Sequence, residues 1–502
     1  MKPLENIPSL AYFTPEILLV IFAAAVIILD LLVKNRESQK VAYLALIGLG
    51  SALVAIIVTN SISASSEPVP LFWGMIQLDG FAVFFKILLL LATAATILFS
   101  LRSEELDAKL KGEYYALLLA VTFGMFLMAS STNLLMIFIA LETVSLTSYI
   151  LAGFLTHSPR SSEAAFKYIT YGAVASGTML FGLSLLFGMT GTGDLSEISD
   201  QLVILLAPEQ ETPLVTPLAL LISITFILAG IGYKIASVPF HMWSPDVYEG
   251  APIPITAFLS VASKAAGFAL LLRFFYTGFA DTKIMHSIDL GLLLAIVSAL
   301  TMTIGNLAAL PQQNVKRLLA YSSIAHGGYL LMGAVLLTSG NAAIVERGVG
   351  AIIFYLIVYF FMNLGAFYVV VLIANEAGTE MIDGYRGLSS RAPLVAGAMA
   401  IFLFSLTGIP ILAGFFGKWI LFTAVLEGKL YWLAFVGLIN SVISLYYYAR
   451  IVKVMYFEAA EDTDKLSFSK GTFALLSVFV VPTIFIGLLN IFYSLSGNIR
   501  LQ

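Results

Sequence analysis

The 502-residue chain contains no cysteine. Disulfides, cysteine-ligated iron–sulfur clusters and covalently attached c-type haem are thereby excluded. Histidine is nearly as scarce: four residues, at 157, 241, 286 and 326, are too scattered for paired haem ligation. Charge is the third shortage. Asp, Glu, Lys and Arg make up 11% of the chain, against about 25% in a soluble globular protein. With 60% hydrophobic residues and a mean hydropathy of +0.96, this excludes a soluble enzyme, a nucleic-acid-binding protein and a disordered chain. The net charge of -4 is too small to imply an anionic partner. What remains is an all-α polytopic membrane protein in a lipid bilayer, with no redox equipment of its own. The informative question is where its few charges sit.

Long apolar runs are what the sequence has in abundance. A helix needs about 20 apolar residues to cross a bilayer core. Such runs predict helices at 13–33, 41–60, 80–101, 114–130, 133–155, 164–189 and 215–236, then at 253–276, 288–308, 318–338, 348–374, 393–426, 430–449 and 471–494. The expected count is about fourteen, an even number, so both termini face the same side. The first run is read as a retained span rather than a signal peptide. Its basic residues Lys34, Arg36 and Lys40 follow the apolar stretch, and no small-residue cleavage site closes it. Lys and Arg bias sets the orientation. Fifteen basic residues fall in the odd-numbered connections: Lys34, Arg36, Lys40, Arg102, Lys109, Lys111, Arg160, Lys316, Arg317, Arg386, Arg391, Arg450, Lys453, Lys465 and Lys470. Five (Lys2, Lys283, Arg347, Lys429 and Arg500) fall in the termini and even-numbered connections. The connection 190–214 carries five acidic residues and no basic one. Both termini are therefore expected outside, on the periplasmic or lumenal side.

Six basic residues remain within the predicted spans: Lys86, Lys167, Lys234, Lys264, Arg273 and Lys418. Among the acids, only Glu142 falls mid-span. A charge at the bilayer centre costs about 2.5–3.5 kcal/mol on insertion scales, and by default it marks an ion or proton pathway. The alternative is a buried salt bridge or a snorkelling side chain. Lys86 and Arg273 lie nearer helix ends, so snorkelling is expected for them; Lys167, one turn into its helix, is open. Lys264 follows Ile253 by eleven residues, about 16 Å at 1.5 Å per residue, too deep for a lysine to reach water easily. One carboxylate cannot pair three lysines, so at least two of Lys234, Lys264 and Lys418 need water, polar groups or a neutral state. A buried lysine whose charge depends on a movable partner is able to carry a proton.

Lys234 and Lys418 each adjoin a helix-breaking stretch. The first, GIGYKIASVPFHMWSPDVYEGAPIP, contains Pro239, Pro245, Pro252 and Pro254; the second, SLTGIPILAGFFGKW, contains Gly408, Pro410, Gly414 and Gly417. Proline removes an N–H from the helical ladder, and unwound backbone at membrane depth survives only inside protein or along a wet cavity. Interrupted segments at corresponding places in two halves point to inverted repeats. Spans 4–8 and 9–13 form the expected five-helix units, with Lys234 corresponding to Lys418 and SLTSYILAG (145–153) weakly similar to SSIAHGGYLLMG (322–333). The expected organisation is 1–105 (spans 1–3), 106–280 (first repeat), 281–460 (second repeat) and 461–502 (span 14). His241, just past the first break, either relays protons near neutral pH or caps the segment. His326 is a candidate for the second proton path, and Asp246 and Glu249 are expected to anchor the re-entrant turn.

The run PFHMWSPDVYEGAPIPITAFLSVASKAAG (239–267) resembles the signature of the antiporter-like membrane subunits of respiratory complex I, the proton-pumping NADH:quinone oxidoreductase. Its WSPDVYEGAPIP wording is similar to subunit N rather than to subunits L and M. Further resemblance lies in VKRLLAYSSIAHGGYLLMG (315–333), MNLGAF (362–367) and GIPILAGFFGKW (408–419), so it covers most of the chain from span 4 onward. The resemblance implies a proton relay of Glu142, Lys234, Lys264 and Lys418. It also implies that NADH, FMN, iron–sulfur clusters and quinone are handled by other subunits. The implied partners are membrane subunits M, L, K, J, A and H, and the implied location is a bacterial inner membrane or a thylakoid membrane. The alternatives are a sodium/proton antiporter subunit and a membrane subunit of a hydrogenase complex. A purely structural scaffold would keep the spans but not four deep charges.

Overall fold

A computed structural model describes residues 3–33, 38–62, 68–106, 111–206, 215–279, 284, 289–460 and 464–486. Lys2, Lys34, Arg36, Lys109, Lys283, His286 and Arg500, the boundaries at 280 and 461, and the end of the fourteenth predicted span lie outside the described residues. The N-terminal part comprises α1 (Asn6–Tyr12), α2 (Thr14–Leu32), α3 (Ser38–Ile62), β1 (Val69–Leu71), β2 (Ile76–Leu78) and α4 (Gly80–Ser100). It continues with α5 (Lys111–Ser130), α6 (Leu134–Ala152), α7 (Pro159–Thr190), α8 (Leu195–Leu205), α9 (Val215–Ile235), α10 (Trp243–Gly250) and α11 (Ile253–Phe258). A π-turn (Leu259–Ser263) joins α11 to α12 (Lys264–Gly278). The remainder is α13 (Leu290–Ala309), α14 (Val315–Ala334), α15 (Ala342–Ala377), α16 (Leu388–Arg391), α17 (Pro393–Thr407), α18 (Ala413–Glu427), α19 (Tyr431–Phe457) and α20 (Lys470–Phe485).

Among the described residues, twelve helices are long and apolar enough to cross a membrane, and α17 and α20 are shorter apolar helices. α11, the π-turn and α12 together make one such span, Ile253–Gly278. The fourteen-span expectation therefore holds, with two interruptions. α9 stops at Ile235, where Ala236 adopts φ 56°. The twelfth predicted span divides at Thr407, where Gly408 takes φ 92° and Ile411 φ 85°, a left-handed conformation that ends a helix.

The connections sort onto two faces. On one, Thr132 joins the β-hairpin to α8: its Oγ1 donates to the Gly74 carbonyl at 2.7 Å, and its carbonyl accepts from Leu195 N at 2.9 Å. Leu4 N also donates to the hairpin, at the Pro70 carbonyl, 3.0 Å. On the other face, Asn375 Nδ2 donates to the Arg102 carbonyl at 2.6 Å, Val315 N to the Glu380 carbonyl at 2.9 Å, and Leu466 N to the Arg391 carbonyl at 3.1 Å. The odd-numbered connections thus meet one another, as the alternation of spans requires.

Snorkelling is overturned for Lys86 and Arg273. Lys86 on α4 is 3% exposed and pairs with Glu16 in the first turn of α2 at 2.6 Å. Arg273 is fully buried; its two terminal nitrogens each meet an oxygen of Asp79 at 2.8 Å, and its Nε donates to the Ala129 carbonyl at 3.0 Å. Asp79 also caps α4 by accepting from Ala82 N at 2.8 Å. Both cations find an acid at their own depth, so neither needs to reach the interface.

Candidate functional site

The first break presents Lys234. Trp243 stacks on Tyr168 with ring centroids 4.3 Å apart, and its Nε1 donates to the Tyr233 carbonyl at 3.0 Å. Val238 N donates to Thr301 Oγ1 at 3.0 Å. These contacts hold the unwound segment against α7 and α13. Lys234, 2% exposed, reaches Ser145 Oγ on α6 at 3.5 Å. Glu142 lies one turn before Ser145, half-buried, with its Oε1 free of hydrogen bonds. Among the described residues the two charges form no ion pair within 4 Å.

Lys264 is the next cation inward. Gly267, one turn after it, lets α12 close on α9: a Cβ there would lie 2.6 Å from Ile235 Cγ2 and 3.5 Å from Lys234 Cγ. Lys264 Nζ donates to Ser323 Oγ at 2.6 Å and also to the Ser323 carbonyl. Both acceptors belong to α14. Three residues further along that helix, His326 Nδ1 meets the Tyr355 hydroxyl at 2.6 Å and Nε2 meets that of Tyr448 at 3.4 Å. The Tyr448 hydroxyl also bonds Ser322 Oγ. Still on α14, the Tyr329 ring lies 4.7 Å from Lys418 Nζ. Lys418 sits at the second break, donating to the Thr407 carbonyl at 2.8 Å and to Ser441 Oγ at 2.9 Å.

Lys264, His326 and Lys418 thus gather along one side of α14, with Lys234 packed beside the start of α12 and the half-buried Glu142 one turn from Ser145. Two further polar atoms near it, among the described residues, are buried without a hydrogen-bond partner: Ser263 Oγ and Asn363 Oδ1. The sequence reading passed over Ser323, Tyr329, Tyr355, Tyr448 and Ser441. The recoverable signal was spacing: Ser322, Ser323, His326 and Tyr329 recur at three or four residues on one helical face.

The other two candidates stand elsewhere. His241, 8% exposed, lies in the unwound segment with Nδ1 unpartnered. Lys167 leaves the line altogether: it pairs with Asp246 at 2.6 Å and Glu163 at 2.8 Å. Arg317 completes that cluster, meeting Asp246 at 2.5 Å and Glu249 at 2.9 Å. Burial pushes the Asp246 carboxyl up, but the hydrogen bonds from Lys167 and Arg317 outweigh it and hold the group below its ordinary value. Nearby, a cavity of about 640 Å³ is lined by Glu105, Arg160, Lys316 and Glu380 among others. Glu105, whose carboxyl is raised by burial, accepts from Ile253 N at 2.9 Å, and Lys316 pairs with Glu380 at 2.6 Å.

A helical membrane bundle with a lysine at each of two broken helices defines the antiporter-like class. The family described as NADH:quinone oxidoreductase/Mrp antiporter, TM, matches residues 131–444. The NADH-quinone oxidoreductase subunit N of Anaeromyxobacter sp. (strain Fw109-5) is 45% identical, covering 96% of this chain and 95% of its own. A chain of respiratory complex I from Thermus thermophilus superposes with TM-score 0.75 at 30% identity, covering 94% of this chain and 97% of that one. A chain of the Mrp complex from Dietzia sp. DQ12-45-1b shares the fold, with TM-score 0.78 at 21% identity over 98% of this chain and 97% of that one. The chain belongs to the NADH-quinone oxidoreductase subunit N family.

Proposed function

We propose that this chain translocates protons as a membrane subunit of an NADH:quinone oxidoreductase, through a relay running from Glu142 by way of Lys234, Lys264 and His326 to Lys418. The observation that carries the reading is the shared face of α14: Ser323 holds Lys264, His326 follows one turn on, and Tyr329 lies against Lys418. Family membership supports the activity, and the cost of three buried lysines beside a half-buried glutamate supports the residues. Burial favours the neutral amine, so each lysine holds its proton only while its local partners favour the ammonium. A change at Glu142, half-buried at the edge of the line, alters the field at Lys234 and passes its proton toward Lys264. The hydroxyls of Ser323, Tyr355 and Tyr448 accept and donate within hydrogen-bond distance.

Electron transfer, with NADH, FMN, iron–sulfur clusters and quinone, belongs to other subunits in this reading. The partners are the other membrane subunits of the complex, M, L, K, J, A and H. The face carrying the excess of Lys and Arg is the cytoplasmic one, with both termini on the opposite side. The two five-helix repeats, about 106–280 and 281–460, correspond to the two halves of the path. Lys167 then supports the architecture through Asp246 rather than carrying protons, and His241 stands beside the first half.

The test is twofold. The tagged chain is expected to co-purify with a quinone-reducing complex, whereas sodium-dependent transport by the isolated chain would favour an antiporter. In membrane vesicles, Lys234→Ala and Glu142→Ala should each lower the number of protons moved per electron. An unchanged ratio in both would remove the relay.

A further inference from the structure

Lys264 emerges directly from the π-turn Leu259–Ser263. An α-helix advances about 100° per residue, and a π-turn inserts one residue into that register. Everything beyond it is therefore rotated by about that angle relative to a continuous helix. In this register Lys264 meets Ser323 on α14. Without the extra residue the lysine would leave that side of the helix. The aim of the central cation depends on whether the turn is held.

One side chain reaches the turn from outside. Asn363, fully buried in the middle of α15, donates from Nδ2 to Ser260 Oγ at 2.7 Å. Ser260 in turn donates to the Ala257 carbonyl, at the end of α11 just before the turn, at 2.7 Å. Asn363 gains little stability there. Its Oδ1 is buried and unpartnered, and an unsatisfied buried polar group is destabilising; a leucine of similar size would carry no such penalty. Tyr359, one turn earlier on the same face of α15, sets its ring 5.1 Å from that of His326. This face of α15 therefore touches both the turn that aims Lys264 and the histidine beyond it.

We propose that Asn363 is a positioning residue for Lys264: its bond to Ser260 pins the π-turn in the register that delivers the ammonium to Ser323. The proposal rests on the relay reading and adds to it a residue that meets no proton itself. In the unpinned state Lys264 parts from Ser323, and transfer toward His326 stops although the lysine is intact.

The test uses the whole complex in membrane vesicles, comparing Asn363→Leu, Ser260→Ala, the double variant and Lys264→Met at equal amounts of assembled complex. Asn363→Leu and Ser260→Ala are each expected to reduce protons moved per electron toward the Lys264→Met level. The double variant should be no worse than the worse single one, since both remove the same bond. A structure of the Asn363→Leu complex should show Lys264 Nζ beyond hydrogen-bond distance of Ser323. If Asn363→Leu lowers assembly, Ser260→Ala, which deletes one oxygen, carries the comparison. Wild-type proton stoichiometry in both single variants, with Lys264→Met impaired, overturns the proposal and leaves the relay standing. Wild-type stoichiometry in Lys264→Met overturns both.

Discussion

Replacing Lys264 by methionine separates what the lysine does for stability from what it does for transport. The side chain keeps nearly its length and volume but loses its charge. Its removal gives up two charge-assisted hydrogen bonds, to Ser323 Oγ and to the Ser323 carbonyl, each worth about 1.5–3 kcal/mol. It also relieves the cost of a charge at the bilayer centre, about 2.5–3.5 kcal/mol. The two nearly cancel, leaving a net loss of roughly 0–3 kcal/mol. The freed Ser323 hydroxyl is able to turn back onto a carbonyl one turn earlier, as Ser148 does with Val144 at 2.6 Å. The variant is therefore expected to assemble at close to the normal level while proton translocation per electron falls. The assay compares complex abundance on native gels with acidification of inverted vesicles and with the rate of NADH oxidation in the same preparation. Normal proton stoichiometry at normal abundance would refute the functional reasoning. A complete failure to assemble would refute the energetic balance.

Asp79→Ala leaves the fully buried Arg273 unpaired, at a cost of about 3–5 kcal/mol, and removes the cap of α4, worth about 1 kcal/mol more; loss of assembled complex is expected, and Asp79→Ser with Arg273→Met should recover most of it. No recovery in the double variant would show that the pair is not the cause. Asp246, held below its ordinary value once the bonds from Lys167 and Arg317 have outweighed burial, contributes stability above the carboxylate's unfolded value and loses it as pH falls through the lowered one. The difference in thermal stability between the wild type and Asp246→Asn should be constant above about pH 5 and close below about pH 4, with no more than about 1 kcal/mol for each half-exposed pair; a difference that persists into acid contradicts this. His326→Phe preserves the packing against Tyr359 but removes the bonds to Tyr355 and Tyr448, and proton translocation per electron should drop; stoichiometry matching the wild type would take His326 out of the path.

The span count, the two breaks and the four costly charges were legible because each is a local property of the chain. Composition fixes which runs stay in lipid, and proline and glycine mark where a helix stops. Partnership was not legible. Arg273 and Asp79 are 194 residues apart, and nothing in either neighbourhood says that they meet at one depth. The acid was overlooked because it lies at the start of a helix rather than within it. The hydroxyls were obscured for a different reason. Serine and threonine in membrane helices commonly bond the carbonyl four residues back, as Thr93 does with Leu89 at 2.9 Å, so Ser323 looked no different from its peers. The π-turn left no trace at all, since LSVAS reads as ordinary helix.

In the proposed relay, Lys264 lies within a membrane-spanning segment and is joined to Lys418 through α14. A membrane voltage does electrical work only on charge that moves along the bilayer normal, about 2.3 kcal/mol per elementary charge per 100 mV for a full crossing. In the proposed relay, a proton passing from Lys264 to Lys418 goes from the level of Ser323 to that of Tyr329 on α14, six residues or about 9 Å along that helix, and so crosses part of that potential. On that reading the voltage acts on the uptake and release legs and, over a shorter distance, on the step between the two lysines. If the relay is as proposed, an energised membrane slows uptake and release most, and the transfer between the lysines in proportion to the distance it covers along α14.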